Sequence, residues 1–177
     1  MFLECNHKTL GLYYIYTPTV IGILGSTYSL VLRLELYGSG NRVICPENQY
    51  FYNLVYTIHG ILMIFYLVIP VLYGGFGNYM VPIYQGASEV GFPRANGLSL
   101  PTLVPVSVSY ILGSSGTEFP GGTGWTLYPP LSLTLVVPIQ IYTTIVALVY
   151  NGISSFLGSI NFYSTISSLR APSIGLG

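Results

Sequence analysis

His59 is the residue of this 177-residue sequence whose type and setting most invite chemistry. It stands in Tyr-Thr-Ile-His-Gly-Ile-Leu-Met-Ile-Phe, inside a long apolar stretch. An ionisable side chain placed within a membrane span is costly and marks function by default. A neutral imidazole ligates metals and haem iron. Met63, four residues on, shares the helical face of His59 and is soft enough to pack against a large apolar cofactor. The competing reading is a histidine hydrogen-bonded to a neighbouring helix, and the residues alone leave both standing. A six-coordinate haem needs a second axial ligand. The other histidine, His7, precedes the first apolar stretch and belongs near a membrane face, so that ligand is expected from another chain.

Arg33 and Glu35 follow the first apolar stretch. Both suit interfacial snorkelling. Arg33 also suits a hydrogen bond to a polar cofactor substituent, and Glu35 suits a hard cation shared with backbone carbonyls. Glu89 and Asn78 flank the second loop, Asn96 follows Arg94, and Ser154, Ser155 and Asn161 place polar groups in the last apolar stretch. A carboxylate at the mouth with amides and hydroxyls behind it is the make-up of a membrane proton path, and equally of polar helix packing. The glycine-rich run from Pro120 to Pro130 lacks the Lys-Ser/Thr ending of a phosphate loop. It reads instead as a tight loop laying Trp125 at the membrane surface.

The elements that must carry these residues are membrane helices. Hydrophobic residues make up 51% of the chain and charged residues 6%, with five Lys+Arg against five Asp+Glu and a mean hydropathy of +0.64. A soluble surface needs about 25% charged residues. Zero net charge also removes the electrostatic term that nucleic-acid binding depends on. Cys5 and Cys45 flank the first apolar stretch and cannot pair across a bilayer. Glu4 and the length of the following apolar run argue against a cleavable signal.

An all-α membrane fold with four spans, roughly 10–32, 54–84, 98–114 and 131–169, is the expectation. Stretches such as 58–71 are apolar on every face, which excludes the alternation of a β-barrel strand. Lys8, Arg94 and Arg170 fall on one set of connections and Arg33 and Arg42 on the other, a bias that leans towards both termini on the inner side. Many of the 17 tyrosines lie near span ends, as an interfacial aromatic belt requires.

Read together, the segments resemble the subunit 1 family of cytochrome c oxidase, the haem-copper oxidase core, over its N-terminal third. The matches are Asn6-His7-Lys8 with Gly11 and Tyr14, Arg33-Leu34-Glu35-Leu36, His59-Gly60 through Phe65, and Gly74 to Asn78. Phe92-Pro93-Arg94 with Asn96, Gly122 to Thr126 with Tyr128 to Ser132, and Ile160-Asn161-Phe162 complete the set. The resemblance implies a four-helix part of a twelve-helix core in the mitochondrial inner membrane, with the termini on the matrix side. It implies that His59 is an axial ligand of low-spin haem a and that Arg33, Gly22, Ser29, Met63, Gly124 and Trp125 line that haem. Glu35 with the backbone near Gly40 matches a sodium or calcium site, and Tyr14, Asn78, Asn96, Ser154, Ser155 and Asn161 match a proton pathway entered near Glu89. Haem a3 and copper B are expected in a partner chain, along with the remaining fragments of the core subunit and oxidase subunits 2 and 3. Cytochrome c would deliver electrons through that complex to oxygen, coupled to proton pumping, with membrane lipid around it.

Two departures accompany the resemblance. Where the family has Gly-Ala-Pro-Asp, this sequence has Gly86-Ala87-Ser88-Glu89, so the entrance carboxylate reaches one methylene further; and residues 133–137 are more apolar than usual. The family's remaining metal ligands lie beyond Gly177, which raises two expectations, a split core subunit, inactive as an isolated chain, which is favoured, or a part of a longer chain. The alternative function is a cofactor-free structural or transport subunit of a respiratory complex.

Overall fold

The computed structural model describes residues 5–114, 122–130, 132, 139–173 and 175. Residues 131 and 133–138 of the expected fourth span and residues 120–121 of the glycine-rich run lie outside them. Among the described residues the structure is helical, without strands. Helix α1 (His7–Glu35) starts where the Asn6 side chain accepts the Lys8 amide at 2.9 Å, a polar cap ahead of an apolar run. Its last turn carries the cation Arg33, which suits the negative end of the helix dipole.

A second rod runs unbroken from Gln49 to Gln85. It opens as α2 (Gln49–Ile61), capped by the Asn48 side chain, and closes as α3 (Asn78–Gln85). Between them, Leu62–Val68 and Pro70–Gly77 are wound more loosely, as π-helix. Pro70 has no amide hydrogen to give, and the looser turns absorb that loss without breaking the rod. The rod stops at Gly86, whose positive φ of 65° lets the Gly86 and Ala87 amides reach back to the Ile83 and Pro82 carbonyls.

Helix α4 (Pro93–Ser114) begins on a proline, where a missing amide costs nothing, and α5 covers Ile139–Ser168. By length and composition α1, the second rod and α5 are long and apolar enough to cross a membrane. Helix α4 has 22 residues and carries the polar side chains Asn96, Ser99, Thr102, Ser107 and Ser109.

The apolar core joins all four rods: Ile21 from α1, Leu54, Ile58, Ile61, Leu62 and Tyr66 from the second rod, Leu103 and Tyr110 from α4, and Ala147 from α5. Outward faces carry Val20, Ile23, Ile145, Val149 and Phe156, all exposed, as lipid or further helices require. The ends are sorted by hydrogen bonds. The Ala171 amide donates to the Gln85 carbonyl at 2.9 Å and the Gly91 amide to Thr165 Oγ1 at 2.9 Å. Lys8, Arg94 and Arg170 thereby share one end of the bundle, with Arg33 at the other end of α1.

Candidate functional site

Two clusters form along the second rod. The first surrounds His59, half-buried near the end of α2. Its Nδ1 lies 2.9 Å from the Gly25 carbonyl oxygen of α1. A carbonyl only accepts, so Nδ1 carries the hydrogen and Nε2 of the neutral ring keeps its lone pair. Bonds of this kind fix the tautomer and the orientation of metal-ligating histidines. Helix α1 comes this close because Gly25 has no side chain: a Cβ there would sit 2.9 Å from Met63 Sδ. Gly22, one turn earlier, is packed in the same way against Leu67.

The loop 122–130 docks on α2 from the other direction. Gly122 is pressed on the backbone of Asn53 and Leu54, and the Gly124 amide donates to Thr57 Oγ1 at 3.0 Å. Gly124 has a φ of 74°, the turn that delivers Trp125 to the Phe65 ring, with centroids 6.2 Å apart. Trp125 keeps 53% of its surface exposed. Met63 and Gly22 thus stand with His59 where α1 meets the second rod, while Gly124 and Trp125 reach that rod at Thr57 and Phe65. Ser29 follows Gly22 by two turns of α1 and donates to the Ser26 carbonyl, while Arg33, a further turn on, is exposed and forms no ion pair among the described residues. Gly25 and Thr57, the partners of His59 and Gly124, escaped the sequence reading.

The second cluster is a chain of polar groups. Ser99 Oγ donates to the Asn96 carbonyl at 2.6 Å, which leaves Tyr14 to donate its hydroxyl hydrogen to Ser99 Oγ, also at 2.6 Å. Asn96 Nδ2 donates to Asn78 Oδ1 at 2.8 Å, and Asn78 Nδ2 to the Gly74 carbonyl at 2.7 Å. Ser154 Oγ donates to the Ser99 carbonyl at 3.0 Å, tying α5 to α4. A cavity of about 540 Å³ is lined by Tyr14, Asn78, Asn96, Ser99, Ser154 and Ser155, with Asn151, Ile69, Pro70 and Phe162 among its other walls. Asn161 stands nearer the end of the bundle, fully buried, its Oδ1 accepting the Phe92 amide at 2.8 Å.

Glu89 lies at that same end, half-exposed, beside His7. Its Oε2 is 3.0 Å from His7 Nδ1 and 3.3 Å from the His7 amide nitrogen. Neither this pairing nor Ser99 was expected from sequence. Glu35 sits apart at the far end of α1, where Oε2 accepts the Ile44 amide at 2.9 Å and a cleft of about 450 Å³ holds Gly40, Asn41 and Cys45. Gly40 turns there with a φ of 85°. Among the described residues no group of three or more His, Cys, Asp or Glu side chains comes together as a metal cluster.

The family model for cytochrome c and quinol oxidase polypeptide I matches residues 9–177. Cytochrome c oxidase subunit 1 of Plasmodium berghei is 47% identical over the whole chain, and that of Plasmodium falciparum 46%. The subunit 1 of Cereibacter sphaeroides is 34% identical over 97% of the chain. The chain spans 37%, 37% and 35% of the lengths of these relatives. With a family match over nearly all of its length, the chain belongs to the cytochrome c and quinol oxidase polypeptide I family.

Proposed function

We propose that this chain is the N-terminal part of the catalytic core of a cytochrome c oxidase in the mitochondrial inner membrane. Four helices would stand within a twelve-helix core, termini on the matrix side, and the rest of the subunit would hold haem a3 and copper B. Oxidase subunits 2 and 3 and cytochrome c complete the proposed assembly. Within it the chain does two things: it offers one axial ligand and part of the pocket to low-spin haem a, and it admits protons.

The observation that carries the haem reading is the His59 Nδ1–Gly25 bond, which leaves Nε2 as the ligating nitrogen on a half-buried ring. The site fits the group in other respects too. Met63 offers soft apolar surface beside Gly25, Trp125 packs on Phe65 of the same rod, and Gly22 and Gly25 keep α1 clear of side-chain bulk. His59 would bind the iron, Ser29 and Gly124 would line the macrocycle, and Arg33 would meet a polar substituent at its edge. Haem a, when bound, supplies a reversible one-electron centre. The second axial ligand belongs to another part of the core.

The proton reading rests on the polar chain. Glu89 stands at the mouth; Asn161, Asn96 and Asn78 follow; Tyr14, Ser154 and Ser155 border the cavity. Glu35 with the Gly40 backbone would hold sodium or calcium, since one carboxylate and carbonyls are the donors a hard cation takes.

The test is an optical spectrum of the purified complex containing His59→Ala. Loss of the low-spin haem band is expected, and an unchanged band would sink the proposal in favour of a cofactor-free subunit. Glu89→Gln tests the proton half separately: slower proton uptake is expected, and intact uptake and pumping would remove it while the haem assignment stood.

A further inference from the structure

The polar cavity stops part-way through the bundle. Counted from the Glu89 end, three of the rods offer a polar wall first and a buried apolar-cluster side chain next: Asn78 then Tyr66 on the second rod, Ser99 then Leu103 on α4, and Ser154 then Ala147 on α5. Leu103 belongs to both, since it lines the cavity and packs in the apolar cluster. Beyond this layer polar side chains resume with Thr144 and Gln140, both buried. Along α5 seven residues part Thr144 from Asn151, the last amide on the cavity wall, which is about 10 Å of helix.

Tyr66 stands in that layer, fully buried. Its ring stacks on Tyr110 with centroids 6.4 Å apart and planes inclined by 14°. Its hydroxyl hydrogen is spent on the Ala147 carbonyl at 2.9 Å, and a carbonyl has no hydrogen to pass on. Ser107 of α4, also fully buried, gives its hydrogen to the Val104 carbonyl at 2.8 Å. A water held inside a protein takes roughly two to four polar partners, and an unpaired charge in apolar surroundings is costly. The layer therefore offers a proton neither a file of waters nor a relay of free hydroxyls.

We propose that the Tyr66–Tyr110 stack is a proton seal: it ends the polar cavity and keeps protons from crossing this bundle between the two membrane faces. This rests on the proton-path reading above, because a seal matters where protons are admitted on one side. An oxidase that moves protons against a gradient would lose them through an opening here.

The experiment uses the assembled oxidase in phosphatidylcholine vesicles, with the enzyme at rest. A potassium diffusion potential set by valinomycin drives protons inward, and an entrapped pH-indicating dye reads their entry. Tyr66→Ser shortens the plug and leaves a hydroxyl that can hold water; it should raise proton entry about tenfold, as rates respond exponentially to a lowered barrier. In turnover, the same variant should no longer quicken when an uncoupler is added, while its haem band stays in place. Tyr66→Phe and Tyr66→Leu keep the layer filled and apolar, so entry should stay within about twofold of the parent. Tyr110→Ser carries the same expectation as Tyr66→Ser should that variant fail to assemble. Parental proton entry in the serine variants overturns the inference, and so does equal leakage through phenylalanine, leucine and serine, which would indicate disturbed packing. Adding Glu89→Gln to Tyr66→Ser should abolish the leak. A leak that persists would mean that protons reach the opening by another route, so that the seal stands and the entrance at Glu89 is lost.

Discussion

His59 Nδ1 and the Gly25 carbonyl oxygen lie 2.9 Å apart, joining α2 to α1 through a bond that one tautomer alone can make. The bond depends on close approach of the helices, and the approach depends on Gly25. An added Cβ would come within 2.9 Å of Met63 Sδ and 3.3 Å of Leu62 Cβ. Met63 can swing away; the Leu62 Cβ cannot without moving its helix.

Gly25→Ala should therefore push α1 outward and stretch the His59 bond. Overpacking of this kind costs about 1–3 kcal/mol. With the haem bound, its low-spin band should shift and broaden yet persist, in contrast to the loss expected for His59→Ala. Reduced-minus-oxidised spectra of the purified complex distinguish the two, and a band identical to wild type would show that the helices do not move apart.

Tyr14→Phe removes one hydrogen from a chain whose direction is fixed. Ser99 gives its own hydrogen to the Asn96 carbonyl, so nothing replaces the Tyr14 donor. The loss should destabilise the complex by about 1 kcal/mol, the usual net worth of one hydrogen bond. Proton uptake should slow with the haem bands unaltered. Dye-monitored uptake beside a thermal melt checks both, and unchanged uptake would place Tyr14 outside the path.

Much of this site was legible because amides are conspicuous in apolar sequence. Asn78, Asn96 and Asn161 stand out for that reason, and all three prove buried and bonded. Ser99 did not stand out. Helical serines commonly satisfy themselves on a carbonyl three or four residues back, as Ser26, Ser107 and Ser155 do here, so a serine in a helix carries little signal. The His7–Glu89 contact joins residues 82 positions apart, and only the shared end of α1 and the α3–α4 loop reveals it. Pro70 and the glycines after it are residues that ordinarily interrupt a helix, yet here the backbone stays helical by winding more loosely.

Glu89→Asp draws the carboxylate back by one methylene and should break its contact with His7. The side chain of Glu89 is 42% exposed, and pairs so open to solvent are worth about 0–1 kcal/mol, so the melting temperature should barely move. Charge at the mouth is kept, so proton uptake should continue. Uptake as slow as in Glu89→Gln would mean that reach, and not charge, is what the entrance requires.

Tyr66→Phe separates packing from proton transfer. The hydroxyl donates to the Ala147 carbonyl at 2.9 Å, and the ring stacks on Tyr110 with centroids 6.4 Å apart. Phenylalanine keeps the stacking and drops the bond that links the second rod to α5. The expected cost is about 1 kcal/mol, read as a lower melting temperature of the assembled complex. Proton uptake should be unchanged, and a large slowing would show that Tyr66 takes part in the proposed proton path.

Gly122→Ala should be the most damaging of these changes, because its neighbours are backbone. A Cβ would run into the Asn53 carbonyl group and the Leu54 nitrogen, atoms fixed within α2 that no rotamer change can clear. The loop must then lift, which breaks the Gly124–Thr57 bond and draws Trp125 away from Phe65. Overpacking plus one lost buried bond amounts to roughly 2–4 kcal/mol. Hydrogen exchange across residues 122–130 should quicken, and the haem band should weaken as Trp125 and Gly124 leave the proposed haem pocket. Gly122→Ala with exchange and spectrum both unaltered would mean that the loop does not need α2 to hold its place.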